Sequence, residues 1–130
     1  MNIQTMIKTF CAVFCAVLTK IFGGVDTVLL VLTALIIIDY ITGVAAAAYT
    51  KELSSKTGFC GILKKICILS LVAAAHLIGV TVGIIELRSV VIGFYIANEG
   101  ISIMENAASA GVPMPERLIE VLKQLKQRNI

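Results

Sequence analysis

The stretch "FYIANEGISIMENAASAG", residues 94–111, opens as apolar as a membrane helix yet carries two glutamates, two asparagines and two serines. Tyr95, Asn98, Glu99, Ser102, Glu105, Asn106 and Ser109 follow the i, i+3, i+4, i+7 spacing, so a helix here gathers its polar groups on one stripe. Such a helix suits a place that is oily on one side and polar on the other.

The rest of the chain supplies the oily side. Of its 130 residues, 58% are hydrophobic and 15% charged, outside the balance of a soluble globule, and the length allows one domain. The formal charge of +3 is too small to point to nucleic acid. Basic residues instead recur in clusters between apolar stretches, as juxtamembrane residues do.

A helix needs about 20 residues to cross a bilayer. Three stretches qualify, over residues 26–50, 66–86 and 88–108. The segment "TKELSSKTGFCGILKK", residues 50–65, reads as a basic loop between the first two. "IELRS", residues 85–89, reads as a tight turn, which makes the last two spans an antiparallel hairpin. Helices follow because lipid offers no water to an open sheet edge, and the segments are too long for single barrel strands. The fold class is therefore an all-α membrane protein of three transmembrane helices, or four if the N-terminal helix also inserts.

That N-terminal helix, within residues 1–24, is amphipathic: Ile3, Met6, Ile7, Phe10, Phe14, Val17, Leu18 and Ile21 recur on one face, opposite Thr5, Lys8, Thr9 and Lys20. Lying in the interface and inserting as a further span are both open to it. It resembles a signal peptide, but no small-residue cleavage site follows, and no processing is expected. After the break at Gly111, Pro113 and Pro115, residues 115–128 resume as a short amphipathic helix with Leu118, Ile119, Leu122 and Leu125 in one stripe. It suits a lipid surface, a neighbouring subunit or a partner protein.

Orientation follows from lysine and arginine. Lys51, Lys56, Lys64 and Lys65 in the loop, with Arg117, Lys123, Lys126 and Arg128 in the tail, place loop and tail in the cytoplasm, with Arg88 in the outer turn. Counted from the ends of each stretch, the span midpoints fall near Ile38, His76 and Ala97, so Asp39, His76, Asn98 and Glu99 share one slab at mid-bilayer. A charge at the centre of a lone helix costs about 2.5 to 3.5 kcal/mol on insertion scales, so these residues are expected to face each other or water. Gly43 and Ala47 on the first span, and Ala75, Gly79 and Gly83 on the second, follow the small-residue spacing that lets membrane helices approach closely. The polar stripe of the third span is open to three uses: interhelical hydrogen bonding, the lining of a lumen shared by several copies, or an ion site.

No enzyme is expected. His76 is the lone histidine and has no partner at ligand spacing on its helix; Cys11, Cys15, Cys60 and Cys67 form no CxxC pair; no glycine-rich phosphate loop is present. Neither a metal nor a cofactor is implied.

"DYITG" at 39–43, "SSKTGFCGILKK" at 54–65 and "FYIANEGISIMENAASAGVPMPERL" at 94–118 resemble the toxin secretion/phage lysis holin family, phage holin family 4. The resemblance covers roughly residues 26 to 125 and points to Asp39, Gly43, Lys56, Gly58, Lys64, Asn98, Glu99, Ser102, Glu105, Asn106, Pro113 and Pro115. It implies accumulation in the bacterial cytoplasmic membrane, homo-oligomerisation, and a lesion through which an endolysin or a large toxin leaves the cell, with no direct binding of that cargo required. From the residues alone, an ion-coupled transporter or proton-conducting subunit using Asp39, His76 and Glu99 stays open, as does a scaffold whose basic loop and tail recruit a soluble partner.

Overall fold

A computed structural model describes residues 1–128, without the side chains of Leu125, Lys126 and Arg128. Five helices follow in order: α1 (Ile3–Phe22), α2 (Thr27–Tyr49), α3 (Ser55–Val82), α4 (Leu87–Ser109) and α5 (Glu116–Arg128). Among the described residues no strand occurs. The chain is an all-α membrane protein: α1, α2 and α3 are each long and apolar enough to cross a bilayer. α4 is of spanning length at 23 residues but carries Arg88, Glu99 and Glu105, and it is the helix on which α2 packs most extensively.

Local chemistry sets the helix limits. Asn2, Asp26 and Ser54 each accept a hydrogen bond from the backbone N–H three residues on, which satisfies a donor that the first turn leaves free. Gly83 closes α3 in the left-handed conformation that favours glycine, at φ 81°. Pro113 and Pro115 stand between α4 and α5, and neither could donate to a continuing helix.

Two expectations change at α3. The segment read as a basic loop is helical from Ser55 onward, so Lys56, Lys64 and Lys65 lie on α3 and the connection from α2 shrinks to residues 50–54. Its lysines and glycines suggested a loop, but lysine is a good helix former, and the Ser54 cap with a shared Ser54–Thr57 hydroxyl contact starts the helix early. At the other end α3 stops at Val82 rather than 86, since Gly83 turns the chain.

The apolar core is small. Leu29, Leu32 and Ile36 of α2 meet Ile68 and Val72 of α3 and Ile92 of α4. Large apolar side chains such as Phe10, Ile41, Val80, Ile85 and Val90 point outward instead. In water that surface would drive aggregation; in lipid tails it is the solvated face. α1 buries no residue at all, and its Phe10 and Phe14 rings stack on the exposed surface with centroids 6.2 Å apart.

Candidate functional site: a charged cluster between three helices

The buried face of α2 runs Leu29, Leu32, Ile36 and then Asp39; that of α4 runs Arg88, Ile92 and then Glu99. Helical spacing thus carries each carboxylate onto the stripe that packs inward. α3 presents Lys65 between them. Its Nζ donates to Glu99 Oε2 at 2.7 Å and to Asp39 Oδ2, so one ammonium bridges carboxylates from two other helices. Glu99 is 1% exposed, Asp39 is buried and Lys65 half-buried.

Asn106, seven residues beyond Glu99 on the same face, completes the cluster. Its Nδ2 donates to Asp39 Oδ1 at 2.8 Å, to the Asp39 carbonyl at 3.0 Å and to Thr42 Oγ1 at 3.0 Å. Gly43 makes room for it: a Cβ there would lie 3.5 Å from Asn106 Nδ2. No buried side-chain nitrogen or oxygen lacks a partner among the described residues. Full pairing matters because an unpaired charge in such a place costs several kcal/mol, while a complete pair in good geometry roughly breaks even.

The sequence matches the bacteriophage holin family over residues 16–127. The chain belongs to the bacteriophage holin family. The holin is 50% identical to an uncharacterized protein of Listeria innocua over 113 residues, 86% of this chain and 78% of that protein. It is 41% identical to an uncharacterized 14.9 kDa protein from the nagH 3′ region of Clostridium perfringens over 129 residues, 98% of each chain. An uncharacterized protein of Bacillus subtilis is 31% identical over 125 residues, 94% of this chain and 92% of that one. No solved structure matches. With its apolar helices, family membership makes the chain a multi-pass membrane protein.

The holin does not bring His76 to this cluster. Asp39 lies ten residues before the end of α2 at Tyr49, and Lys65 ten residues after the start of α3 at Ser55, so the two are level. Depth counted from residue 66 places His76 there instead, and the start of α3 at Ser55 corrects it. His76 sits near the far end, against Gly23, where an added Cβ would stand 2.5 Å from its Nδ1. Tyr95 packs on the apolar core and edge-on to Phe94, with ring centroids 5.0 Å apart, rather than joining the polar group. Asn98, Ser102 and Glu105 are half-buried on α4.

The small residues divide by role. Ala75 and Gly79 are buried, and a Cβ on Gly79 would meet the Ile84 carbonyl at 2.5 Å, so this glycine admits the α3–α4 turn. Gly83 has nothing within 4 Å of such a Cβ; it serves the turn's backbone, which corrects its reading as a packing residue. Ala46, rather than the half-buried Ala47, is the buried alanine near the end of α2. Lys51, Lys56, Lys64, Arg117 and Lys123 are exposed, and the Lys126 and Arg128 side chains lie outside the described residues.

Two polar features were missed from sequence. By charge alone Lys65 reads as a topology residue, yet Lys65, Ile68, Val72, Ala75 and Gly79 share one helical stripe, and that spacing is the available signal. Arg88 reads from the sequence as a residue of the outer turn. It is buried and donates from Nε to the Phe22 carbonyl at 2.6 Å, from Nη2 to the Gly24 carbonyl at 3.1 Å, and from both Nη atoms to Asp26 at 2.8 and 3.0 Å. This forked contact ties the α1–α2 linker to the start of α4. The Arg88 hydrogen bond holds the Asp26 carboxyl below the usual carboxylate range.

Proposed function

We propose that this holin homo-oligomerises in the bacterial cytoplasmic membrane and opens a lesion through which an endolysin or a toxin leaves the cell. The observation that carries the reading is the Asp39–Lys65–Glu99–Asn106 cluster, the main polar content of an otherwise lipid-facing bundle. In a single copy these groups satisfy one another. In an assembly of several copies the same groups can be hydrated instead, so a closed bundle and a water-lined opening differ by an exchange of partners rather than by exposure of bare charge to lipid. Asn98, Ser102 and Glu105 extend the polar face of α4 and would join that lining. Loop and tail are assigned to the cytoplasm on their lysines and arginines.

Inducible expression with a co-expressed endolysin tests the proposal. Abrupt growth arrest with release of the endolysin is expected, and Lys65→Met at matched membrane levels should shift its onset. Change of ion gradients without protein release would instead support a proton-conducting or ion-coupled subunit, the reading that the same buried charges favour second. Neither effect would leave a scaffold.

A further inference from the structure

At mid-height of the bundle two lysines stand next to each other on α3, and only one of them is paired. Lys64 and Lys65 lie nine and ten residues beyond Ser55, about 14 and 15 Å along the helix. Lys65 is held by Asp39 and Glu99, whereas Lys64 is exposed and makes no ion pair among the described residues. An ammonium at that depth would cost several kcal/mol against lipid tails, so it has to meet a partner or water.

The fold holds a place for water. At the lysine end α2 and the first turns of α3 do not close on each other, and a cavity of about 230 Å³ lies between them. Asp39, Lys64, Lys65 and Asn106 line its inner part, with Ser54 and Thr57 nearer the helix ends. A second hollow of about 420 Å³ shares Tyr40, Leu53, Ser54 and Gly58 with it and adds Ser55, so the space continues to the α2–α3 connection. Glycine keeps it open: Cβ atoms added at Gly58 and Gly61 would come within 3.4 and 3.6 Å of the Tyr40 side chain. A polar cavity with room for several waters holds them, whereas an apolar one stays dry. Here the charged groups are the deepest, and an acyl chain laid over them would leave both lysines without solvent.

Toward the Arg88 end the space is blind. Ile36 lies three residues before Asp39 and Ile68 three after Lys65, and both belong with Leu32, Val72 and Ile92 to the apolar core, in which Leu32 and Val72 are fully buried.

We propose that this cavity is a one-sided water inlet, which wets Asp39, Lys64 and Lys65 from the α2–α3 connection and stops at the apolar layer of Ile36, Ile68 and Val72. Its occupants are water and small polar solutes, and Lys64 supplies a second cation to the two carboxylates across that water. The dry part of each copy is thereby confined to the half between the cluster and Arg88, where an apolar constriction bars passage by dewetting. The inference rests on the chain lying in a membrane and not on its opening a lesion.

Single-cysteine forms of the full chain in sealed lipid vesicles, exposed to a charged methanethiosulfonate that does not cross lipid, test it. Lys64→Cys should react at least about tenfold faster than the natural Cys67 retained alone, since a thiol in apolar surroundings is less ionised and each pKa unit is tenfold. It should react only from the side that labels Glu52→Cys. Val44→Cys, on the facing wall of α2, should behave as Lys64→Cys does, and Val72→Cys should react from neither side. Gly61→Leu, which narrows the inlet, should slow Lys64→Cys and leave Glu52→Cys unchanged. Equal rates at Lys64→Cys and Cys67, reaction from both sides, labelling of Val72→Cys, or no effect of Gly61→Leu would overturn the proposal. So would a preference at Lys64→Cys for a lipid-soluble maleimide as strong as that of Cys67, which would mean an acyl chain in the space, or slowing as the protein-to-lipid ratio rises, which would mean a second copy there.

Discussion

Two ionic contacts among the described residues are built on opposite terms. In the middle, one lysine serves two carboxylates from two other helices, and Glu99 is almost sealed from solvent. At the Arg88 end, one guanidinium serves a single carboxylate and two backbone carbonyls, and the Asp26 side chain is 49% exposed. The first has more acid than base in a largely buried site. The second has a full complement of donors and acceptors at a helix boundary, where solvent can replace any that is lost. The middle contact is therefore the conditional one, dependent on every member, whereas the end contact is a fastening.

Removing the central base should have the largest effect. Lys65→Met leaves Asp39 and Glu99 buried without their cation, and a loss of about 3 to 5 kcal/mol is expected in detergent unfolding. Adding Glu99→Gln to that variant should recover part of it, since the remaining amide can still hydrogen-bond. Without recovery, the cluster would be acting through packing rather than charge.

Arg88→Ala should come next, at about 1.5 to 3 kcal/mol for loss of hydrogen bonds to a charged group. Its signature should be local: hydrogen exchange is expected to rise in the α1–α2 linker and at the start of α4, leaving the Asp39 region protected. A rise of equal size around Asp39 would erase the distinction between the two contacts.

The smallest effect concerns acid. Asp26 has a folded pKa lowered by Arg88, so its contribution is complete above the ordinary carboxylate value and disappears as the pH falls through the lower folded one. With so exposed a carboxylate, Asp26→Asn at neutral pH should cost less than about 1 kcal/mol. The unfolding midpoint of that variant should also depend less on pH below about 4 than the parent's does. An unchanged acid limb would place the origin of that pH dependence elsewhere.

The sequence was informative where one helix sufficed. Apolar length and the glycine–proline breaks placed the helices, and the i, i+3, i+4, i+7 run from Tyr95 to Ser109 marked α4 as polar along one side. What could not be read was relative height. Asp39 and Glu99 read from the sequence as mid-bilayer residues and Asn106 as part of the α4 stripe, but their contact with Lys65 depends on where α3 begins. A shift of that start from residue 66 to Ser55 exchanges His76 for Lys65 at the level of Asp39. Capping by a single serine decides it, and hydropathy does not register a cap. Arg88 was hidden for a related reason, because its acceptors include backbone carbonyls that no residue type announces.

The Asp39–Lys65 contact joins residues 26 apart, within one helical hairpin, whereas Asp39 and Asn106 are 67 apart. During synthesis the first opposite charges to emerge are therefore those of neighbouring helices. Asp39 and Lys65 can enter the bilayer as a neutral pair before α4 has left the ribosome, each sparing the other the cost of crossing alone. Glu99 then arrives into a site that already contains a cation. The order of residues along the chain thus doubles as an order of insertion, and exchanging Asp39 with Lys65 would keep the pair while exchanging Lys65 with Glu99 would send two acids into the membrane first.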